Sequence, residues 1–202
     1  MIYRLYDFLP SGNSYKVRLL LNLLEIPFER IDVDILNRET RTPEFLQQNP
    51  NGKIPLLEIA PGKFLAESNA ILYYLSQGTN FFPADNYAQA LVMQWLFFEQ
   101  YSHEPNIATP RYWISILQQP DRNPEQLKQK QKLGYAALNV MEQHLSDRSF
   151  FVAETYTIAD IGLYAYTHVA EEGGFDLQRF PAILAWFKRL EAHPKHIQIE
   201  RS

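Results

Sequence analysis

Residues Asn49–Leu75 read NPNGKIPLLEIAPGKFLAESNAILYYL, and their order of loop, strand, tight turn, strand and helix decides how the rest of the chain is read. Asn49-Pro50-Asn51-Gly52 is a cluster of turn formers. Ile54 to Ile59 is a short apolar run with Pro55 near its start, where a missing N–H does least damage. Ala60-Pro61-Gly62-Lys63 sets Pro and Gly at the central positions of a type II turn. Phe64-Leu65-Ala66 then returns as the second strand of a hairpin. From Glu67-Ser68 the spacing becomes helical, with Ala70, Ile71, Tyr74 and Leu75 on one face.

Two features of this stretch suit a ligand. Ile54 precedes a proline and is pushed toward extended geometry. A cis Ile54–Pro55 bond, accessible to X–Pro, would turn the Ile54 backbone toward an extended, peptide-like molecule. Glu67 and Ser68 stand at a helix start, where free N–H groups and the dipole favour a carboxylate. Glu67 beside them suits an ammonium. A molecule with a free amino-acid end and a peptide bond fits both places. A plain hairpin and helix, with Pro55 a turn residue and Ser68 an N-cap, accounts for the same letters.

The order NPxGKIPLL, followed by ES-x-AI-x-x-YL, resembles the glutathione-binding half of cytosolic glutathione transferases. The resemblance implies that Ile54, with Pro55 after it, pairs with the cysteinyl backbone of glutathione. It also implies that Glu67 and Ser68 hold the γ-glutamyl end.

The 202-residue chain has room for one large or two small domains, and its 46% hydrophobic content supports an ordinary core. A net charge of −4 gives no basic field for nucleic acid or an anionic membrane. No apolar run reaches membrane-spanning length, and MIYRLYDFLPSG lacks a signal-peptide pattern, so a cytoplasmic location is expected. The chain has no cysteine, which excludes disulfides, thiolate metal sites and redox chemistry on a protein thiol. Any thiol must arrive with the ligand. The five histidines show no metal spacing, and no metal is expected.

Ile2–Tyr6 reads as a strand, and Ser11-Gly12-Asn13-Ser14 offers N-caps for a helix with Val17, Leu20, Leu21 and Leu24 inward. Phe28–Val33 reads as a second strand, and Thr42-Pro43-Glu44 as N-cap, N1 proline and first-turn acid of a short helix. The result is βαβαββα over residues 1–77, an α/β arrangement matching the thioredoxin-like half of the family. Residues 78–87 read as a linker and 88–202 as an all-α helical domain. In it, Leu91, Val92, Trp95, Leu96 and Phe98 make an apolar face, with Phe97 also assigned to the core. Leu133, Ala136, Ala137, Val140 and Met141 point inward from a helix over about 124–144. Thr157-Ile158-Ala159-Asp160 is a capping-box signature. For the whole chain the resemblance implies the glutathione transferase fold.

Glutathione chemistry needs a thiol, ordinarily near pKa ~8.5, to ionise at neutral pH beside a hydrogen-bond donor or helix N-terminus. Ser11, in S-G-N-S-Y-K-V-R, stands where serine-type members carry their catalytic serine, which implies that it donates to the thiolate. Capping the first helix is a competing use of the same hydroxyl. Tyr6 and Asn13 are rival donors. Lys53 is either a partner for the glycyl carboxylate, as resemblance to plant-type members implies, or a solvated loop lysine; Arg38 and Arg41 are weaker versions of that idea, with solvated surface as their default. Tyr101, His103, Arg111 and Tyr112 are candidates for an electrophile site expected between the domains.

The expected activity is conjugation of glutathione, the sole co-substrate, to small hydrophobic electrophiles such as isothiocyanates or aryl halides. The helix start resembles the cyanobacterial chi class. The family also implies a homodimer. The alternative is a non-catalytic glutathione transferase-like binding or protein-interaction module.

Overall fold

The computed structural model describes residues 2–200. The chain folds as two compact units: the stretch up to Gln77 together with the tail from Lys195, and Gly78–Pro194.

In the first unit β1 (Tyr3–Asp7), α1 (Gly12–Leu23) and β2 (Phe28–Asp32) form a strand–helix–strand crossover, with β1 and β2 parallel and Tyr3 opposite Phe28. A 3-10 turn at Glu39–Arg41 leads to α2 (Pro43–Gln48), where Thr42 Oγ1 accepts the Phe45 N–H at 3.3 Å and Pro43 fills the first turn. The hairpin β3 (Leu56–Ala60) and β4 (Lys63–Ala66) turns at Gly62, whose φ of 73° suits a residue without a Cβ. The sheet order is β2-β1-β3-β4, and α3 (Ser68–Ser76) follows. Tyr6, Ile54, Phe64 and Ala66 pack against Val33, Phe45 and Leu56 on one face of the sheet. By strand alternation Leu5, Asp7 and Leu57 point to the other face, and all three are fully buried.

Two helix faces differ from the sequence reading. Helix α1 is buried on nearly every side, from Ser14 through Leu21, rather than along one stripe. On α3 the inward residues are Ile71, Leu72 and Leu75, whereas Tyr74 and Ala70 face outward. Ser68 sets that phase: its side chain is buried, and Leu72 and Leu75 follow it at i+4 and i+7.

The chain end also differs. Residues from Lys195 belong with the first unit, not with the helical stretch expected over 88–202. Their backbone is held there by α1: Tyr15 Oη donates to Ile197 O at 2.6 Å, Arg18 Nη2 to Ile199 O at 2.6 Å and Asn22 Nδ2 to Lys195 O at 3.3 Å.

The second unit contains α4 (Asn86–Phe98), α5 (Glu104–Arg111), α6 (Pro124–Leu145), α7 (Ile158–Thr167) and α8 (Pro181–Glu191). The segment read as a linker is folded into it. Phe82 is buried, Phe81 O accepts the Ile158 N–H at 3.0 Å, and Asp85 caps α4 through the Ala88 N–H at 2.8 Å. On α6 the buried residues are Gly134, Ala137, Leu138, Met141 and Leu145, whereas Leu133 and Val140 are exposed. Gly134 explains the rotation. A Cβ there would lie 2.6 Å from the Phe175 ring, so this is the face that packs closely. Phe97 also points outward, 67% exposed.

Between α4 and α5, and again after α5, the helix widens into π-helical turns at Glu99–His103 and Tyr112–Ile116. Pro105 and Pro110 have no N–H for the carbonyls four residues earlier, so the ladder is interrupted in this region. Asn106 Nδ2 instead donates to Ser102 O at 2.7 Å, and Thr109 Oγ1 to Pro105 O at 3.0 Å.

Candidate functional site

The residues singled out in the first unit gather around the N-termini of α1 and α3. Ser11 is the N-cap of α1, half-buried, and its Oγ accepts the Ser14 N–H at 3.3 Å. Capping uses an oxygen lone pair, whereas stabilising a thiolate would use the hydroxyl hydrogen. The two uses therefore do not compete.

The loop carrying Ser11 is pinned by Arg18. This fully buried guanidinium meets Asp7 Oδ2 at 2.5 Å, and its Nη2 donates to Leu9 O at 2.9 Å. Breaking a buried pair of this kind costs about 3–5 kcal/mol.

At α3 the N-cap is Glu67, with φ 69° and ψ 113°, and its own side chain makes no capping hydrogen bond. A non-glycine residue at such a φ carries roughly 1–3 kcal/mol of backbone strain, a feature that clusters at ligand sites. The Glu67 side chain is exposed, its Oε1 3.4 Å from Asn51 Nδ2. Ser68 is buried, with its hydroxyl donating to Asn13 Oδ1 at 3.1 Å. That contact ties the starts of α1 and α3 together, so the positive ends of two helices lie side by side. Lys16 Nζ, fully enclosed, reaches Ser68 Oγ at 3.3 Å.

The Ile54–Pro55 bond is cis. The loop before it is built by Asn49, whose Nδ2 donates to Lys53 O at 2.8 Å and whose Oδ1 accepts the Asn51 N–H at 3.2 Å. Gly52 has φ 61°, and a Cβ there would sit 2.9 Å from Thr40 O. Arg41 supports the same loop by donating to Asn51 O at 3.1 Å. Lys53 itself is exposed. Tyr6 stands apart, its ring edge-on to Phe45 and to Phe64 at 6.2 Å each, within the apolar cluster.

In the second unit the four residues named for an electrophile site fall on or beside the two π-helical turns. Tyr101 is 87% exposed and Tyr112 half-buried. His103 and Arg111 are committed inside the unit. His103 is fully buried with Nε2 2.8 Å from Thr167 Oγ1, and Arg111 Nε donates to Glu172 Oε2 at 2.8 Å. Both are held as structural contacts, because a side chain this enclosed must find its partners in the protein.

Sequence reasoning missed Lys16 and Arg18, and took Asn13 as a cap and rival donor without its contact to Ser68. The signal was there: two cations in a helix otherwise made of Tyr15, Val17 and Leu19–Leu21 cannot both reach solvent. A cleft of about 600 Å3 within the first unit, lined by Leu21, Asn22, Glu25 and Phe28, lies at the opposite end of α1 from Ser11. Among the described residues no group of His, Asp or Glu is arranged to hold a metal, and no helix is long and apolar enough to cross a membrane.

The chain matches the family described as "Glutathione S-transferase, N-terminal domain" over residues 1–77 and "Glutathione S-transferase, C-terminal domain" over residues 89–194. It is 33% identical over 203 residues to the glutathione S-transferase-like protein LUC7 of a Fusarium species, covering 92% of this chain and 87% of that one. It is 28% identical over 194 residues to the disulfide-bond oxidoreductase YfcG of Escherichia coli K12, covering 93% and 89%. A crystal structure of a glutathione S-transferase from Pseudomonas fluorescens Pf-5 superimposes with a TM-score of 0.97 at 50% identity, over all of both chains. With both halves matched and the paired helix starts in place, the chain belongs to the glutathione S-transferase family.

Proposed function

We propose that the protein is a glutathione transferase that ionises the thiol of bound glutathione and joins the glutathionyl sulfur to a small hydrophobic electrophile. The observation that carries this reading is the start of α3, where Glu67 does not cap the helix, tied by Ser68 to the start of α1, beside Ser11. In it, Glu67 faces the γ-glutamyl ammonium, Ser68 and the α3 N–H groups the α-carboxylate, and Ile54 the cysteinyl backbone. Lys53 meets the glycyl carboxylate. The thiol sits at the start of α1, where the helix field and the Ser11 O–H favour the thiolate. Its proton leaves to water. The sulfur lone pair forms the new C–S bond, with a halide departing, or, when an isothiocyanate is the acceptor, with the C=N electron pair moving to nitrogen, which takes a proton from water. Tyr101 and Tyr112 are the proposed electrophile contacts.

A second reading is favoured by the relationship to a protein named as a disulfide-bond oxidoreductase. The same thiolate would attack a disulfide sulfur, forming a mixed disulfide and expelling the other sulfur as a thiolate. This needs no protein cysteine. In either case the outward-facing Tyr87, Phe97, Leu133 and Val140 of the second unit are assigned to contact with a second copy of the chain. Sedimentation of Phe97→Glu as a monomer where the wild type sediments as a dimer is the expected result.

The test is a pH titration of bound glutathione by thiolate ultraviolet absorbance, in wild type and Ser11→Ala. The bound thiol should ionise below its free value of about 8.5, and Ser11→Ala should raise that value. A shift that survives Ser11→Ala moves the donor role to Asn13 or Tyr6. Binding without ionisation leaves the interaction module in place of the enzyme.

A further inference from the structure

Lys16 is an unusual residue for an interior helix position. Its side chain is fully buried, with Nζ 3.3 Å from Ser68 Oγ and 3.4 Å from Asn69 Oδ1. An ammonium has three donors and no acceptor, so in the Lys16–Ser68 contact the serine oxygen must accept. The Ser68 hydrogen is then left for an acceptor elsewhere, which in this structure is Asn13 Oδ1 at 3.1 Å. Hydrogen bonds in a chain polarise one another, so a hydroxyl accepting from a cation becomes a stronger donor. An ionised carboxylate offers acceptors only. Ser68 is thus prepared for a carboxylate before one arrives.

Resting on the glutathione reading of this site, we propose that Lys16 is a positioning residue for the α-carboxylate of the γ-glutamyl group. It fixes Ser68 as a donor and sets a positive charge behind the start of α3. When the ligand binds, the Ser68 hydrogen turns from Asn13 to the carboxylate while its oxygen stays on Lys16. Being enclosed, Lys16 acts through Ser68 and through its field, without touching the ligand.

The experiment is calorimetric titration with two probes: glutathione, and the analogue 4-aminobutyryl-cysteinylglycine, which lacks only the γ-glutamyl α-carboxylate. Lys16→Met should weaken glutathione binding about 10- to 100-fold, the range for losing a charge-assisted hydrogen bond, and leave the analogue unchanged. Lys16→Arg should recover part of the preference. Ser68→Ala should show the same selectivity, and adding Lys16→Met to it should cost less than the same change in the wild type, because only the lysine's field then remains to be lost. If Lys16→Met does not fold, Lys16→Gln and Ser68→Ala carry the same comparison. Equal weakening of both probes, or an undiminished preference for glutathione, overturns the role of Lys16. A wild type that binds neither probe overturns the glutathione reading itself, and with it this proposal.

Discussion

Helices α3 and α7 begin with the same kind of chemistry, a hydroxyl residue and an acid, and end in opposite arrangements. At α7 Asp160 is folded back on its own helix start. Its carboxylate receives the Thr157 N–H at 2.9 Å, the Thr157 hydroxyl at 3.0 Å, the Phe151 N–H at 3.1 Å and Trp186 Nε1–H at 3.0 Å. At α3 the acid precedes the serine, sits at φ 69° and points to solvent, and its side chain does not close the helix end. Order along the chain makes the difference. An acid three residues into a helix can reach back to the cap, whereas one at the cap itself cannot complete that ring. One helix start is therefore closed by its own acid, and the other, whose acid faces solvent, is the start proposed to receive the ligand.

The largest effect expected from this contrast is at Asp160. Asp160→Ala leaves four buried donors without their acceptor, and should lower the unfolding free energy by about 3–5 kcal/mol. In thermal denaturation that corresponds to roughly 10 °C in Tm for a chain of this size.

The pH dependence has a definite sign. Burial pushes the Asp160 carboxyl up to about 6 from 3.8, with its hydrogen bonds to Thr157, Trp186 and Phe151 acting the other way. A raised folded-state value means the contribution is fully present below pH 3.8 and lost as pH rises through about 6. The stability gap between wild type and Asp160→Ala should narrow across that window, as measured by urea denaturation at pH 4, 5, 6 and 7. A gap that widens would contradict burial as the dominant influence.

Thr157→Ala removes the cap but leaves Asp160 its backbone and indole donors, and should cost about 1–2 kcal/mol. Glu67→Gln should change stability by no more than about 0.5 kcal/mol, as for an exposed side chain, while weakening glutathione binding.

The capping box at α7 was legible in the letters because its meaning is local: Thr157 and Asp160 are three residues apart and need nothing else. The same holds for Thr42-Pro43 at α2 and the Pro61-Gly62 turn. What sequence did not reveal depends on distant partners. The inward face of α6 is set by Gly134 against Phe175, so Leu133 and Val140, equally apolar, were misplaced. Lys16 and Arg18 stand out as cations on an apolar helix, but their partners Ser68 and Asp7 lie 52 and 11 residues away along the chain. The tail from Lys195 carries no motif; it is held by backbone carbonyls that Tyr15, Arg18 and Asn22 reach. Such carbonyl acceptors leave no mark on residue identity.

The contrast between the two helix starts is tested most directly by thermal denaturation with and without saturating glutathione, in wild type, Thr157→Ala and Glu67→Gln. A ligand that binds the folded state raises Tm according to its affinity. The account predicts a lowered starting Tm with an undiminished glutathione shift for Thr157→Ala, and an unchanged starting Tm with a reduced or absent shift for Glu67→Gln. A full shift in Glu67→Gln, or a lost shift in Thr157→Ala, would contradict it.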